Sequence, residues 1–463
     1  MGEKMEIKLS DHFTYKRLLK FTLPSIAMMI FTSIYSVVDG FFVSNFAGDI
    51  PFKAVNLIMP FLMIMATVGF MFGTGGTAIV AKTLGEGDSE KANRYFSLFV
   101  YVTFSLGVIF SIIGITFIRP IASALGAEGE ILENCVIYAR IVLMALPFVV
   151  LQYLFQSFFV AAAKPRLGLA VIIAAGVTNM VLDAVLVTTF PQEHKLAGAA
   201  IATATAQFIG GTVPLIYFFR KNSSVLLLGK TSFDMKAILK ACTNGSSEFM
   251  SNVSMSVVGM LYNKQLLRFA GDDGIAAYGV MMYISMIFSA AFVGYSIGTA
   301  PVISYNSGAG NHSELKGILQ KSLRIIGTFG ICMFAAAQLL AAPLSKIFVG
   351  YSESLTEMTT HGFHIFATAF PFMGFAIFSS GFFTALNDGL TSAVISFLRT
   401  LIFQAGAVLL LPLIFGIDGI WISIAAAGGM AGGISNDFPY LQEEKIQLLI
   451  NQKIFAQPFL RTV

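Results

Sequence analysis

An all-α polytopic membrane protein of about twelve transmembrane helices, arranged as two six-helix repeats, is the fold class predicted, on three observations. Hydrophobic residues make up 56% of the 463 positions and charged residues only 12%, whereas soluble domains carry roughly 25% charged residues; the mean hydropathy is +0.78. Apolar runs recur at or above the length of about 20 residues that crosses the hydrocarbon core as a helix, and they are too long for the strands of a transmembrane barrel. Short motifs also recur in the second half of the chain at nearly constant spacing. FAG at 46–48 returns at 269–271, the GT of GTGGTAIVAKTLGEG returns in GTAPVISYNSGAG with Gly85 and Gly87 matching Gly308 and Gly310, and FFVAAAKP at 158 is echoed by FFTALNDG at 382. Such a parallel repeat implies a pseudo-twofold axis along the membrane normal and a central cavity between two lobes that alternates its access.

The elements follow in order. The opening stretch MGEKMEIKLSDHFTYKRLLK is polar and amphipathic. The run after it, Phe21 to Phe46, is too long for a signal-peptide core and lacks a small-residue cleavage site, so it is expected to be retained as span one. Spans two to six are expected at Ala54–Ala81, Tyr95–Ile118, Ile131–Ala163, Leu167–Phe190 and Ala197–Phe219, separated by polar turns such as KTLGEGDSEKANR. The basic connector RKNSSVLLLGKTSFDMKAILK then divides the halves, giving lobes at residues 1–225 and 226–435. Spans seven to eleven are expected at Ala241–Ala270, Ile275–Tyr305, Leu319–Leu340, Thr359–Leu386 and Leu390–Phe415. The twelfth, Gly419 to Ile434, is apolar for only about sixteen residues and is interrupted by GGMAGG, so a short or damaged helix is expected. Residues 436–463 form an atypical tail. Pro24 and Pro147 are placed to bend their helices.

Basic residues cluster before span one, after spans two and four and in the connector, while the alternate loops hold mainly one each. By the positive-inside rule both termini are cytoplasmic. The net charge of +4 therefore reports topology and not a nucleic-acid surface. Cys135, Cys242 and Cys332 lie far apart in or beside apolar segments, without metal-ligand spacing, and read as core residues.

Function is signalled by carboxylates in oil. Asp39 lies in span one and Asp183 in span five, within GVTNMVLDAVLV, each roughly seven residues before the outer end of its helix. An ionised Asp in a bilayer costs at least about 2.5 kcal/mol, and such a group usually faces a polar cavity, binds a cation or takes up a proton. Thr203, in the returning sixth span, reaches the same level. Asn179 and Asp183, at i and i+4, share a helix face.

Taken together, the twelve spans in two repeats, GTGGTAIVAKTLGEGD with its echo IGTAPVISYNSGAGN, AAAKP after span four and NMVLD in span five resemble the multidrug and toxic compound extrusion (MATE) family over about residues 12 to 427. The resemblance implies an inner (plasma) membrane antiporter that expels cationic, amphipathic drugs against a sodium or proton gradient through two six-helix lobes. It also implies a cation site at Asp39, Asn179, Asp183 and Thr203. The chemistry of these residues agrees: two carboxylates, an amide and a hydroxyl are hard oxygen ligands for a small cation. The same pair could instead share a proton, because two buried carboxylates at one site cannot both ionise cheaply and titrate as a pair. The alternative is that each acid merely bonds a neighbouring helix. Where members of that family continue the twelfth helix and often carry an acidic residue after the AA of IAAA, this chain has Gly428 and Gly429.

Glu248 in span seven and Arg399 in span eleven are buried charges of the second lobe that could pair. Lys264, His361 and His364 could form a polar cluster near its outer end. Candidates for holding an amphipathic cation are Tyr35, Gln152, Gln156, Gln207, Tyr283 and Met286, through π-faces, amides and an adaptable thioether; with 45 Phe and 21 Met, most such residues must simply pack helices or face lipid. No phosphate loop, HExxH or CxxC motif occurs, so no enzyme activity and no cofactor is expected beyond a coupling ion. Partners are expected to be membrane lipid and cationic small molecules, with no nucleic acid, and the protein is expected to act as a monomer. Two other readings stand beside the antiporter: a lipid-linked precursor flippase of related fold, which would favour a cavity rich in Arg and Lys, and a non-transporting membrane protein.

Overall fold

The computed structural model describes residues 7–435, and every regular element among them is helical. The first repeat comprises α1 (Tyr15–Ala47), α2 (Asp49–Gly85), α3 (Ser89–Ala124), α4 (Gly129–Met144 and Leu146–Ala161, bent by 56°), α5 (Pro165–Thr189) and α6 (Gln192–Phe219). The 75-residue stretch Met235–Ala309 is broken at Gly271, where φ is 63° and ψ −151°, into α7 (235–270) and α8 (272–309). After them come α9 (His312–Val349), α10 (Glu353–Ala385), α11 (Gly389–Phe415) and α12 (Ile417–Ser435). The expected twelve helices are therefore present among the described residues.

The twelfth helix is short, as expected, its apolar stretch Ile417–Met430 falling below spanning length, but it is not interrupted. The glycines of GGMAGG do not interrupt α12, which runs for 19 residues to Ser435. Glycine costs a helix roughly 1 kcal/mol against alanine but does not forbid the geometry. The first turns are also anchored: Ile420, Trp421 and Ser423 are buried, and Ser423 shares a hydrogen bond with the Tyr262 hydroxyl of α7. The tail at 436–463 lies outside the described residues.

Backbone conformation repeats where the sequence does. Gly48 and Gly271, 223 positions apart, both have positive φ (107° and 63°) and separate α1 from α2 and α7 from α8. Gly87 and Gly310 do likewise (89° and 71°), and the next residues, Asp88 and Asn311, cap α3 and α9 by accepting the Lys91 and Glu314 amides. Ala163 and Asn387 hold the left-handed region without being glycine (57° and 62°), ending α4 and α10. Positive φ takes the chain out of the helix, at Gly48 and Gly271 through a region open essentially to glycine alone (ψ 176° and −151°), so each pair marks the same stop in both repeats.

The bend in α4 has a specific cause. Pro147 has no amide hydrogen to give the Leu143 carbonyl, so the helix breaks there. The freed oxygen accepts a 2.7 Å hydrogen bond from the Ser111 hydroxyl of α3, the kind of repair an apolar medium demands.

The two repeats meet through backbones brought close by small residues. A Cβ on Gly85 would stand 2.0 Å from the Tyr305 oxygen and one on Gly308 2.0 Å from the Lys82 oxygen; because 82 and 305 are themselves equivalent positions, this is one contact made twice about the pseudo-twofold axis. Gly75 meets Ala241 and Gly245 meets Met71 in the same way, while Gly294 meets Ile26 and Gly298 meets Thr22. The packing also exchanges helix ends. Leu18, Phe21 and Ile26 of α1 share a core with Phe292, Tyr295, Leu319 and Phe378 of the second repeat. Ala237, Ile238 and Ala241 of α7 share one with Phe72, Phe96 and Phe158 of the first. At the same end of the bundle, the Phe13 amide donates to Glu314 Oε1 (2.8 Å) and His12 Nδ1 lies 2.6 Å from Glu314 Oε2, tying the segment before α1 to α9.

Candidate functional site: a buried pair of aspartates

The helix ends far from that junction carry the acids. Asp39 is reached just before α1 passes into a π-helical turn at Val43–Ala47, a distortion frequent at functional sites. Asn179 and Asp183 lie one turn apart on α5, and Thr203 lies on α6; Asn179 and Asp183 are 1% and 0% exposed. The four predicted residues come together. Thr203 Oγ1 donates to Asp39 Oδ1 at 3.2 Å, and Asn179 Nδ2 donates to Thr203 Oγ1 at 3.5 Å. Asp183 lies within electrostatic reach of Asp39. Both Asp183 carboxylate oxygens and Asn179 Oδ1 are buried and accept from no donor group among the described residues, although the Asp183 and Asp39 carboxyl groups lie close enough to share a proton. Burying an unpaired carboxylate costs several kcal/mol, so these oxygens call for a cation or a proton.

A cavity of about 110 Å³ opens beside them, with Tyr35, Asp39, Gln152, Asn179, Thr203 and Gln207 in its wall. Gln152 Oε1 and Gln207 Oε1 are further buried acceptors without a donor among the described residues. The volume suits an ion and a few waters. A drug-sized ligand fills roughly 300–1,000 Å³, so cargo needs a wider space than this conformation encloses. Gln156 is buried one turn along α4 and both of its amide atoms lack partners, but it is not part of that wall. Tyr283 and Met286 of α8 are exposed by 47% and 37% and do not join it.

Tyr138 and Tyr153, from the two halves of the bent α4, also line the cavity. Sequence reasoning missed both. Tyr138 is 1% exposed and stands within reach of Asp39, Asp183 and Thr203, and Tyr153 stacks on Phe70 with ring centroids 4.1 Å apart. The available signal was helical spacing: at about 100° per residue Tyr138, Val142, Val149 and Gln152 fall within about 80° of one another on a single helix face, and all four stand in the cavity wall.

In the second lobe, Glu248 and Arg399 are neighbours that act on each other electrostatically, with Arg399 on a π-helical turn of α11 at Leu398–Phe403. They make no direct ion pair. The cluster expected of Lys264, His361 and His364 is not formed. His361 Nε2 lies 2.9 Å from Asp418 Oδ1 of α12 and His364 Nδ1 bonds the Gln338 side chain of α9, because α10 packs between those two helices; Lys264 is exposed on α7.

Twelve membrane helices in two interlocked repeats, with a buried acid pair beside an internal cavity, are the architecture of a membrane transporter. The particular family follows from comparison: the MatE family model matches residues 24–185 and 249–409, once in each repeat, and the chain belongs to that family. Among curated proteins it is 28% identical over 335 residues to the multidrug export protein MepA of Staphylococcus haemolyticus (strain JCSC1435), covering 72% of this chain and 73% of the relative. Its fold matches a crystal structure of MATE in complex with MaL6, with a TM-score of 0.89, 21% identity and coverage of 95% of this chain and 98% of the other. It also matches the outward-facing conformation of a multidrug resistance MATE family transporter of the MOP superfamily, with a TM-score of 0.89, 20% identity and coverage of 97% and 100%.

Proposed function

We propose that this transporter is a secondary antiporter that exports cationic, amphipathic compounds in exchange for H+ or Na+. It works in the plasma membrane with both termini cytoplasmic, as a monomer, and needs no cofactor besides the coupling ion. The observation that carries the reading is the Asp39–Asp183 pair with its unpartnered oxygens in the first lobe. A cation or proton at the site relieves the repulsion between the two carboxylates, and Asn179 and Thr203 supply neutral oxygens around it. Cargo bearing positive charge competes for the same negative field, so entry of one favours departure of the other. Export of several drugs by MepA supports the choice of cargo, and so does the cavity wall, whose residues include no Lys or Arg. A pyrophosphate-linked cargo would require the opposite polarity.

The test is efflux of a fluorescent amphipathic cation from everted vesicles under an imposed proton gradient and, separately, an imposed sodium gradient. One of the two is expected to drive transport, and Asp183→Asn is expected to reduce it to the rate of vesicles without the protein while membrane levels stay unchanged. Wild-type rates in that variant would remove Asp183 from the site. Failure of both gradients would overturn the antiporter reading.

A further inference from the structure

A second cavity lies away from the acids, between α3 and α6. It is a groove of about 560 Å³ walled by Val100, Tyr101 and Phe104 of α3 and Leu215, Ile216 and Phe219 of α6, with Arg220 as the one charged residue of its lining. Phe219 and Ile216 remain 69% and 47% exposed, on the last turn of a membrane helix. The groove therefore ends at the level where hydrocarbon gives way to headgroups. Arg220 is exposed, and among the described residues no carboxylate pairs with it; Arg94 close by in the chain of α3 is instead paired with Glu90 at 3.7 Å.

The connector between the repeats is folded back against this rim. The Leu227 amide donates to Asn93 Oδ1 (2.7 Å), the Gly229 amide to Ser97 Oγ (3.0 Å) and the Thr231 hydroxyl to the Arg94 carbonyl (2.8 Å). The Tyr101 hydroxyl, itself part of the groove, donates to the Gly229 carbonyl at 3.1 Å. These bonds fix the backbone of Lys230, one residue beyond Gly229, beside the groove, while Lys221 follows Arg220 directly. The apolar channel thus ends at Arg220, with Lys221 next to it in the chain and the Lys230 backbone held nearby by the bonds of the connector. We propose that the groove is a selective site for an anionic glycerophospholipid, with one acyl chain between α3 and α6 and the phosphate-bearing headgroup held by Arg220, Lys221 and Lys230. The charge complementarity argues for an anionic lipid over a zwitterionic one: each basic residue near the surface favours anionic lipid by a factor of roughly five. Because the headgroup would rest on both α6 and the connector, the site also fastens the only covalent link between the repeats to the first lobe.

The proposal is tested with the full-length protein in phosphatidylcholine vesicles by titrating in phosphatidylglycerol brominated on its acyl chains. The reporter is a Phe104→Trp variant, with Ile216→Trp as a second reporter, and the parent chain, whose only tryptophan is the buried Trp421, is the background. Half-maximal quenching is expected at a mole fraction roughly fivefold or more below that needed with brominated phosphatidylcholine. Arg220→Gln is expected to lower that preference by roughly fivefold without changing the quenching by phosphatidylcholine. Equal quenching by the two lipids in both reporters would show an ordinary annular lipid and overturn the proposal. Full retention of the preference in Arg220→Gln together with Lys221→Gln and Lys230→Gln would do the same, and so would complete displacement by soluble glycerol phosphate, which has no chain to fill the groove.

Discussion

At the scale of single residues, the chain is governed by what a polar atom costs inside an apolar medium. Ser111 and Leu143 give the sharpest case, because the hydroxyl replaces a hydrogen bond that Pro147 cannot make. Ser111→Ala leaves the Leu143 carbonyl buried without a donor, at a cost of about 1–3 kcal/mol. The thermal unfolding midpoint of the purified protein should fall by about 1–3 °C, and an unchanged midpoint would mean that another donor reaches that oxygen. Asp183 obeys the same rule in reverse: its two buried oxygens have no donor among the described residues, whereas Asp39 accepts from Thr203, and the imbalance is what a bound cation or a shared proton would relieve. Asp39, Asn179, Asp183 and Thr203 were legible in the sequence because a carboxylate in an apolar run is conspicuous. Tyr138 and Tyr153 were not, because a tyrosine in a helix rich in aromatic residues carries no such contrast until its neighbours are known.

At the scale of elements, the stops are more informative than the helices. The positive-φ residues at 48 and 271, 87 and 310, and 163 and 387 reproduce one another where the short motifs recur. The segment before α1 is an element the sequence showed only as a polar, amphipathic leader. Leu9 and Phe13 are buried against the second repeat, and Glu314, the third residue of α9, accepts the Phe13 amide while facing His12. Glu314→Ala strands that amide, so hydrogen exchange at Phe13 should quicken by about 10- to 100-fold, the equivalent of 1–3 kcal/mol. Mass-spectrometric exchange on peptides covering residues 7–17 measures this directly; unaltered protection would show that the apolar anchors alone hold the strap. The twelfth helix shows the opposite lesson. It is short, as its composition predicts, but its glycines, read as breakers, lie within a continuous helix whose first turns are anchored by the burial of Ile420 and Trp421 and the bond to Tyr262.

At the scale of the whole molecule, the pseudo-twofold axis turns each close contact into a pair. Gly85 and Gly308 allow the two repeats to touch at backbone distance, and a methyl at either position would meet a carbonyl at 2.0 Å. Gly85→Ala or Gly308→Ala should therefore disfavour this arrangement of the lobes by about 1–3 kcal/mol, a shift of roughly 5- to 150-fold in the conformational equilibrium. Spin labels at Glu86 and Ser313, in a Cys332→Ser background, should show a growing population of longer distances by electron resonance. An unmoved distance distribution would mean that the contact does not gate the two states. The sequence by itself determined the membrane class, the helix count, the repeat and the depth of the acids, because hydrophobicity, period and buried charge are written locally along the chain. Tertiary structure alone decided that the ends of α1 and α7 cross into the opposite repeat's core, that Tyr138 and Tyr153 join the cavity, that the histidines of α10 take separate partners, and that α3 and α6 leave a groove beneath Arg220. These depend on bends and on close approaches between segments hundreds of residues apart, where a 56° kink or a missing Cβ selects which faces meet, and no local pattern encodes that choice.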